Sequence, residues 1–176
     1  MHTTAYIALG SNLPFNGDDP PELLARAVTA MQGAGLAVVA CSGVWRTHAW
    51  PPDSAQPDYY NAVVALDPAG RSPQQLYETA LEIEANFGRE RHEKWAPRTL
   101  DLDIAALDDW LGTFGKVTLP HPRMHERGFV LAPFSEIAPE WRHPALQKTA
   151  AQLLAMVGAA GCRRVGELLR AADQAG

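Results

Sequence analysis

Segments that read as strand, helix, strand, strand, helix and strand follow one another along the first two thirds of the chain, each set off by Gly, Pro, Ser or Asp punctuation. This βαββαβ order predicts an α/β (α+β) fold: a ferredoxin-like core whose helices pack on one face of a largely antiparallel sheet, with extra C-terminal helices. The 176 residues, 47% of them apolar, supply one substantial core and no material for a second, so residues 1–176 form a single domain.

Residues 4–9 are rich in strand formers and stop at Gly10-Ser11-Asn12, a turn triplet. Asp18 or Asp19 then caps a helix with proline in its first turn; Leu24, Val28 and Met31 form its apolar stripe, and Gly33 and Gly35 end it. Residues 36–46, with Val38, Val39, Val44 and Trp45, read as one long strand bent at Gly43. Prolines and a lack of periodicity make 48–57 a surface loop, and 59–66 resumes as strand. Ser72-Pro73-Gln74-Gln75 offers an N-cap, a first-turn proline and a capping-box Gln; Leu76, Ala80, Ile83 and Phe87 supply the stripe, and Gly88 the stop. Residues 99–107 alternate polar and apolar, and 112–119 read as a turn and a short strand. Residues 129–137 and 149–172 read as helices, the latter stretch broken in two around Gly158 and Gly161.

A net charge of −5 repels a polyanion, which argues against a nucleic-acid partner, so any anion must be held by a local cluster. No apolar run is long enough to span a bilayer, and no basic leader opens the chain. Cys41 and Cys162 stand far apart without metal-spaced neighbours, as unpaired thiols do in a cytoplasmic protein. No apolar stripe is left unburied, which points to a monomer.

In Leu100-Asp101-Leu102-Asp103-Ile104 the two-residue period puts both carboxylates on one strand face and the aliphatic residues on the other. Acids about 7 Å apart along a strand reach a pair of Mg²⁺ ions about 3.5–4 Å apart. The pair equally fits an acidic solvated face. Just before it, residues 88–98 interleave Arg89, Arg91, Lys94 and Arg98 with Trp95. Guanidinium groups grip phosphate oxygens and an indole stacks on a heterocycle, although a salt-bridged turn with Trp95 covering the core fits as well. Tyr59 and Asn61 share a strand face; the Asn amide suits the edge of a heteroaromatic ring, or simply a strand edge. His121, held between two prolines, suits a phosphate contact or a plain turn. No Walker loop, GxGxxG, GxSxG or HExxH occurs, and Gly10-Ser11-Asn12 is too short to count as a phosphate cradle.

Taken together, Tyr6-Ile7-Ala8-Leu9-Gly10-Ser11-Asn12-Leu13, Gln56-Pro57-Asp58-Tyr59-Tyr60-Asn61, Phe87-Gly88-Arg89-Glu90-Arg91, Pro97-Arg98-Thr99-Leu100-Asp101-Leu102-Asp103-Ile104, Leu119-Pro120-His121-Pro122 and Arg127-Gly128-Phe129-Val130-Leu131 are far more specific than any piece. The chain closely resembles the 6-hydroxymethyl-7,8-dihydropterin pyrophosphokinases of the folate pathway, in order from about residue 4 to about 140, with 145–176 as an added helical extension. The resemblance implies transfer of diphosphate from ATP, the co-substrate, to the pterin hydroxymethyl group with release of AMP. It implies two Mg²⁺ ions on Asp101 and Asp103, catalytic arginines at Arg89 and Arg98, and a mobile loop carrying Arg91 and Lys94 that closes over ATP. It further implies ATP contacts from Arg91, Trp95, Arg98, His121 and Arg127, an adenosine site lined by Glu84, Ile104 and Thr118, and a pterin pocket of Thr47, Tyr59, Asn61, Trp95 and Phe129. Two rival readings share the element order. A palm-like two-metal nucleotidyltransferase would release pyrophosphate, and an RRM-like RNA-binding module would need the aromatic and basic strand that this sequence lacks.

Overall fold

The computed structural model describes residues 2–49, 51, 53, 55–89 and 97–169. In chain order the elements are β1 (Ala5–Ser11), α1 (Pro20–Gly33), β2 (Ala37–Cys41), β3 (Gly43–Thr47), β4 (Tyr59–Asp67), α2 (Pro73–Asn86) and β5 (Asp101–Leu107). There follow β6 (Gly112–Phe114), β7 (Val117–Leu119), a 3-10 turn (Met124–Glu126), α3 (Gly128–Ile137), α4 (Ala150–Val157) and β8 (Arg163–Glu167). The main sheet runs β5-β1-β4-β3-β8, with β2 also on β4, and every pairing is antiparallel. Two crossovers through α1 and α2 thus interleave their strands, as a ferredoxin-like core requires.

The helix signals work as chemistry dictates. Ser72 Oγ accepts the Gln75 N–H at 3.3 Å while Gln75 Oε1 accepts the Ser72 N–H at 2.9 Å, closing the capping box of α2. Thr149 and Gln152 repeat the device on α4. Past α2, Gly88 adopts φ +71°, and a Cβ there would lie 2.3 Å from the Phe15 ring, so both conformation and space demand glycine.

Two expectations need correction. Residues 36–46 form two strands rather than one bent strand. Ser42 sits between them: its hydroxyl accepts the Val63 N–H at 2.9 Å and donates to the Gly43 carbonyl at 2.7 Å, which turns the chain without breaking its pairing to β4. The two helices of the βαββαβ core do share one face, as expected, and the later helices take the other. Leu24, Val28, Leu76 and Ile83 from α1 and α2 build one core, while α3 and α4 cover the other face with Leu131, Phe134 and Leu153 against Val63, Ala105 and Met124. Phe134 is fully buried there, a site where truncation to Ala costs about 3–5 kcal/mol. Finally, of the residues expected as C-terminal helices, 163–167 are a strand. Once α4 ends at Gly158, the open edge of β3 offers backbone partners, and Glu136 draws the segment in by accepting from Arg164 Nε (3.0 Å), the Gly43 N–H (3.1 Å) and Trp45 Nε1 (2.9 Å). Tertiary pairing overrides local helix preference.

Candidate active site

The sheet's register assembles the site. Gly10 on the central strand β1 lies opposite Asn61 of β4 on one side and Asp101 of β5 on the other; one step along, Ala8 lies between Val63 and Asp103. The two smallest side-chain types therefore floor a hollow whose walls are an amide and two carboxylates. A Cβ on Gly10 would stand 3.3 Å from Asn61 Oδ1 and 4.0 Å from both Asp101 Cβ and the Tyr59 ring, filling that floor. The start of α3, with Arg127, Gly128 and Phe129, overhangs it and leaves a cavity of about 490 Å³.

Beneath the carboxylate wall is a closed chain of charges. Glu84, only 3% exposed on α2, accepts from Arg89 Nη1 at 3.0 Å and from the Leu102 N–H at 2.8 Å. Arg89 also pairs with Asp101 Oδ1 and reaches the Leu100 carbonyl, and Arg98 Nη1 lies 2.6 Å from Asp101 Oδ2. Burial opposes the charge on Arg89, yet Asp101 and Glu84 outweigh it and raise its pKa. Asn12, 1% exposed, fixes the backbone of Arg98: its Oδ1 accepts the Arg98 N–H at 2.8 Å, its own N–H donates to the Arg98 carbonyl at 3.0 Å, and its Nδ2 donates to the Pro57 carbonyl at 3.1 Å.

Asp103 differs from Asp101. Among the described residues its carboxylate has no hydrogen bond or ion pair, and burial followed by the Asp101 charge pushes its pKa up to about 7. Two hard oxygen donors on one wall, one of them short of positive charge, form a donor set that fits a divalent ion such as Mg²⁺. No group of three or more His, Cys, Asp or Glu among the described residues forms a metal cluster, so such an ion would complete its shell with phosphate oxygens or water.

On the other side of Gly10, Asn61 (6% exposed) donates from Nδ2 to Thr47 Oγ1 at 3.1 Å, which fixes the amide orientation. Tyr59 lines the same end, its phenol pKa raised by burial. Phe129 is 37% exposed, with the Arg127 guanidinium 5.7 Å from its ring centroid.

Thr47, Tyr59, Asn61, Arg98, Asp101, Asp103, Arg127 and Phe129 thus meet around one cavity, with Arg89 paired to Asp101 below it. Three residues expected at an adenosine site do not line it. Glu84 is turned to the charge chain, Ile104 packs in the core against α1 and α2, and Thr118 lies with His121 along a second hollow beside the β6–β7 hairpin. His121 Nδ1 accepts the Arg123 N–H at 3.2 Å, and burial, then the nearby Arg127 charge, lowers its pKa. Arg91, Lys94 and Trp95, and with them the loop expected to close, lie outside the described residues. The sequence reading missed Ala8, Gly10, Asn12, His48, Arg123 and Glu126. For Ala8 and Gly10 the signal was present, since alternation along β1 puts both on one face.

A family model described as 7,8-dihydro-6-hydroxymethylpterin-pyrophosphokinase matches residues 6–139. A Synechocystis protein named 2-amino-4-hydroxy-6-hydroxymethyldihydropteridine pyrophosphokinase is 47% identical over 124 residues, covering 70% of this chain and 62% of that one. A protein of the same name from Methylorubrum extorquens is 40% identical over 139 residues, covering 78% of this chain and 84% of its own. Among solved structures, Plasmodium falciparum HPPK-DHPS matches with a TM-score of 0.65 at 12% identity, covering 89% of this chain and 45% of that one, a likeness of fold. The chain therefore spans less than two thirds of the Synechocystis relative and less than half of the Plasmodium protein.

Proposed function

The chain belongs to the 7,8-dihydro-6-hydroxymethylpterin-pyrophosphokinase family, and from that premise we propose that it transfers the terminal diphosphate of ATP to 6-hydroxymethyl-7,8-dihydropterin, releasing AMP, in folate biosynthesis. One observation carries this reading: carboxylates and guanidinium groups share one wall of the cavity whose opposite end presents an oriented amide between aromatic side chains. A flat, polar-edged heterocycle suits the Asn61 end, and a metal-bound polyphosphate suits the Asp101 and Asp103 end.

In the proposed reaction the hydroxymethyl oxygen attacks the β-phosphorus in line, the bond from that phosphorus to the oxygen bridging to the α-phosphorus breaks, and that oxygen leaves with AMP. Such a transfer needs positioning and charge neutralisation more than a covalent nucleophile. Asp101 and Asp103 would hold two Mg²⁺ ions, which supply Lewis-acid neutralisation of the phosphate chain when bound. Arg98 and Arg127 face the phosphates, while Arg89, locked to Glu84 and Asp101, keeps the first carboxylate aimed at the cavity. Asn61, oriented by Thr47, reads the pterin edge, and Tyr59 and Phe129 cover the ring faces. We assign no general base among the described residues, and the hydroxyl proton leaves to phosphate or water. The free thiols of Cys41 and Cys162 support a reducing, cytoplasmic setting, and among the described residues no helix is long and apolar enough to cross a membrane.

The deciding experiment supplies ATP, Mg²⁺ and 6-hydroxymethyl-7,8-dihydropterin and identifies the nucleotide product. AMP with a pterin diphosphate supports the proposal. Free pyrophosphate would instead identify a nucleotidyltransferase, and ADP a simple kinase.

A further inference from the structure

Arg123, just before the 3-10 turn, lines the same cavity as Arg127. Its nearest acid among the described residues is Glu126, with Oε2 3.6 Å from Nε, and these side chains are 56% and 57% exposed. A pair that open is worth little and exchanges readily. Glu126 also has a second neighbour, His125 Nε2 at 3.7 Å, so it does not depend on Arg123. Arg127 is more poorly compensated. No carboxylate pairs with it among the described residues, and burial together with the positive field of Arg123 presses its pKa down. The same field adds to burial and Arg127 in lowering the His121 pKa. Two guanidinium groups crowded on one wall repel each other, and a polyanion seated between them removes that repulsion.

We infer that Arg123 is a phosphate-binding residue of this chain, which together with Arg127 grips the phosphate chain of the nucleotide and gives up Glu126 to do so. The inference rests on the reading that a nucleoside triphosphate occupies this cavity. Neither a neutral heterocycle nor adenosine has use for a second guanidinium there, whereas each phosphate added to AMP brings charge that it meets.

Calorimetric titration of the full chain with Mg²⁺ and α,β-methylene-ATP, and separately with AMP, tests this. Arg123→Ala weakens the triphosphate analogue about tenfold, the worth of one charged contact, and leaves AMP within twofold. Arg123→Lys recovers part of the loss, Glu126→Gln binds the analogue at least as tightly as wild type, and the NMR-titrated pKa of His121 rises in Arg123→Ala. Unchanged analogue affinity in Arg123→Ala overturns the inference, as does an equal loss for AMP or a wild type that does not bind the analogue. Product identity is read independently: a wild type that binds the analogue but releases pyrophosphate sinks the pyrophosphokinase assignment and leaves Arg123 in its role.

Discussion

The two ends of the charged wall are built on opposite terms. At the β5 start, Glu84, Arg89, Asp101 and Arg98 form an unbroken alternation of acid and base, each charge met by the next. Toward α3, Asp103, Arg127 and Arg123 face the same cavity without such closure, and the shifts on Asp103 and Arg127 register the cost. Charges satisfied within the protein serve as frame, because removing one exposes its partner. Charges left unsatisfied hold affinity in reserve, because a ligand supplies what the fold withholds. Losses at the first end should therefore cost stability as well as ligand placement, whereas losses at the second should fall on ligand binding alone.

The sharpest way to break this contrast is Asp103→Asn. It removes a donor for the divalent ion and should lower the rate of AMP formation by about 10³-fold or more, the scale of several kcal/mol of lost charge stabilisation. The same substitution neutralises an unpaired carboxylate, so thermal unfolding of the metal-free protein should occur at an equal or higher temperature. Mg²⁺-dependent turnover within tenfold of wild type would take Asp103 out of the metal site.

Glu84→Ala probes the other end. It strips Arg89 and the Leu102 N–H of their shared acceptor in a buried setting, and should cost about 3 kcal/mol in urea unfolding. A cost under about 1 kcal/mol would show that Asp101 alone secures Arg89 and that the charge chain is not a frame.

Glu84 also shows where sequence reading reaches its limit. Residues whose placement follows from their own element's period were legible: Asp101 with Asp103 on one face, Tyr59 with Asn61 on another, and the Ser72 capping box all follow from spacing within a few positions. Glu84 takes its meaning from Arg89 and from the Leu102 N–H 18 residues away, so its helix position says only that it is polar. Gly10 was discounted as a phosphate cradle, and indeed its use is steric; only its pairing with both β4 and β5 reveals it as the floor between Asn61 and Asp101. Arg123 and Glu126 border a 3-10 turn that has no amphipathic period, and β8 owes its form to the vacant edge of β3. Local chemistry wrote the paired acids into the chain, while long-range pairing supplied the cavity around them.

At the neutral end of the cavity, Asn61→Ala gives a smaller effect. Its Nδ2 is already committed to Thr47, so under the proposed function the remaining amide groups would carry the recognition. Pterin affinity should fall about tenfold or more, from an unpaired heterocycle edge worth about 1–3 kcal/mol, while affinity for the nucleotide analogue stays within twofold. Equal losses for both ligands would mean that the amide braces the sheet instead of reading the ring.

The smallest effect, and the most direct on the contrast, lies in the pH dependence of stability. From an ordinary value of 3.8, the Asp103 carboxyl is raised to about 7 in the fold by burial and then by Asp101. Between those values the folded protein holds a proton that the unfolded chain has lost, so this group's contribution falls as pH rises from about 4 to about 7 and is level above. His121 and His143, both lowered mainly by burial, act in the opposite direction: their contribution is lost as pH falls below the ordinary histidine value of 6.5. Comparing wild type with Asp103→Asn removes that background. In EDTA, the stability advantage of the variant over wild type should widen from pH 5 to pH 8 by about 1–2 kcal/mol, below the full linkage value because the site is partly solvated. Mg²⁺ at pH 8 should then raise the melting temperature of wild type and leave the variant where it was, since the ion compensates a charge only the wild type carries. Parallel curves for the two proteins in EDTA would mean that Asp103 finds its counter-charge within the fold, and the distinction between a framed end and an open end would disappear.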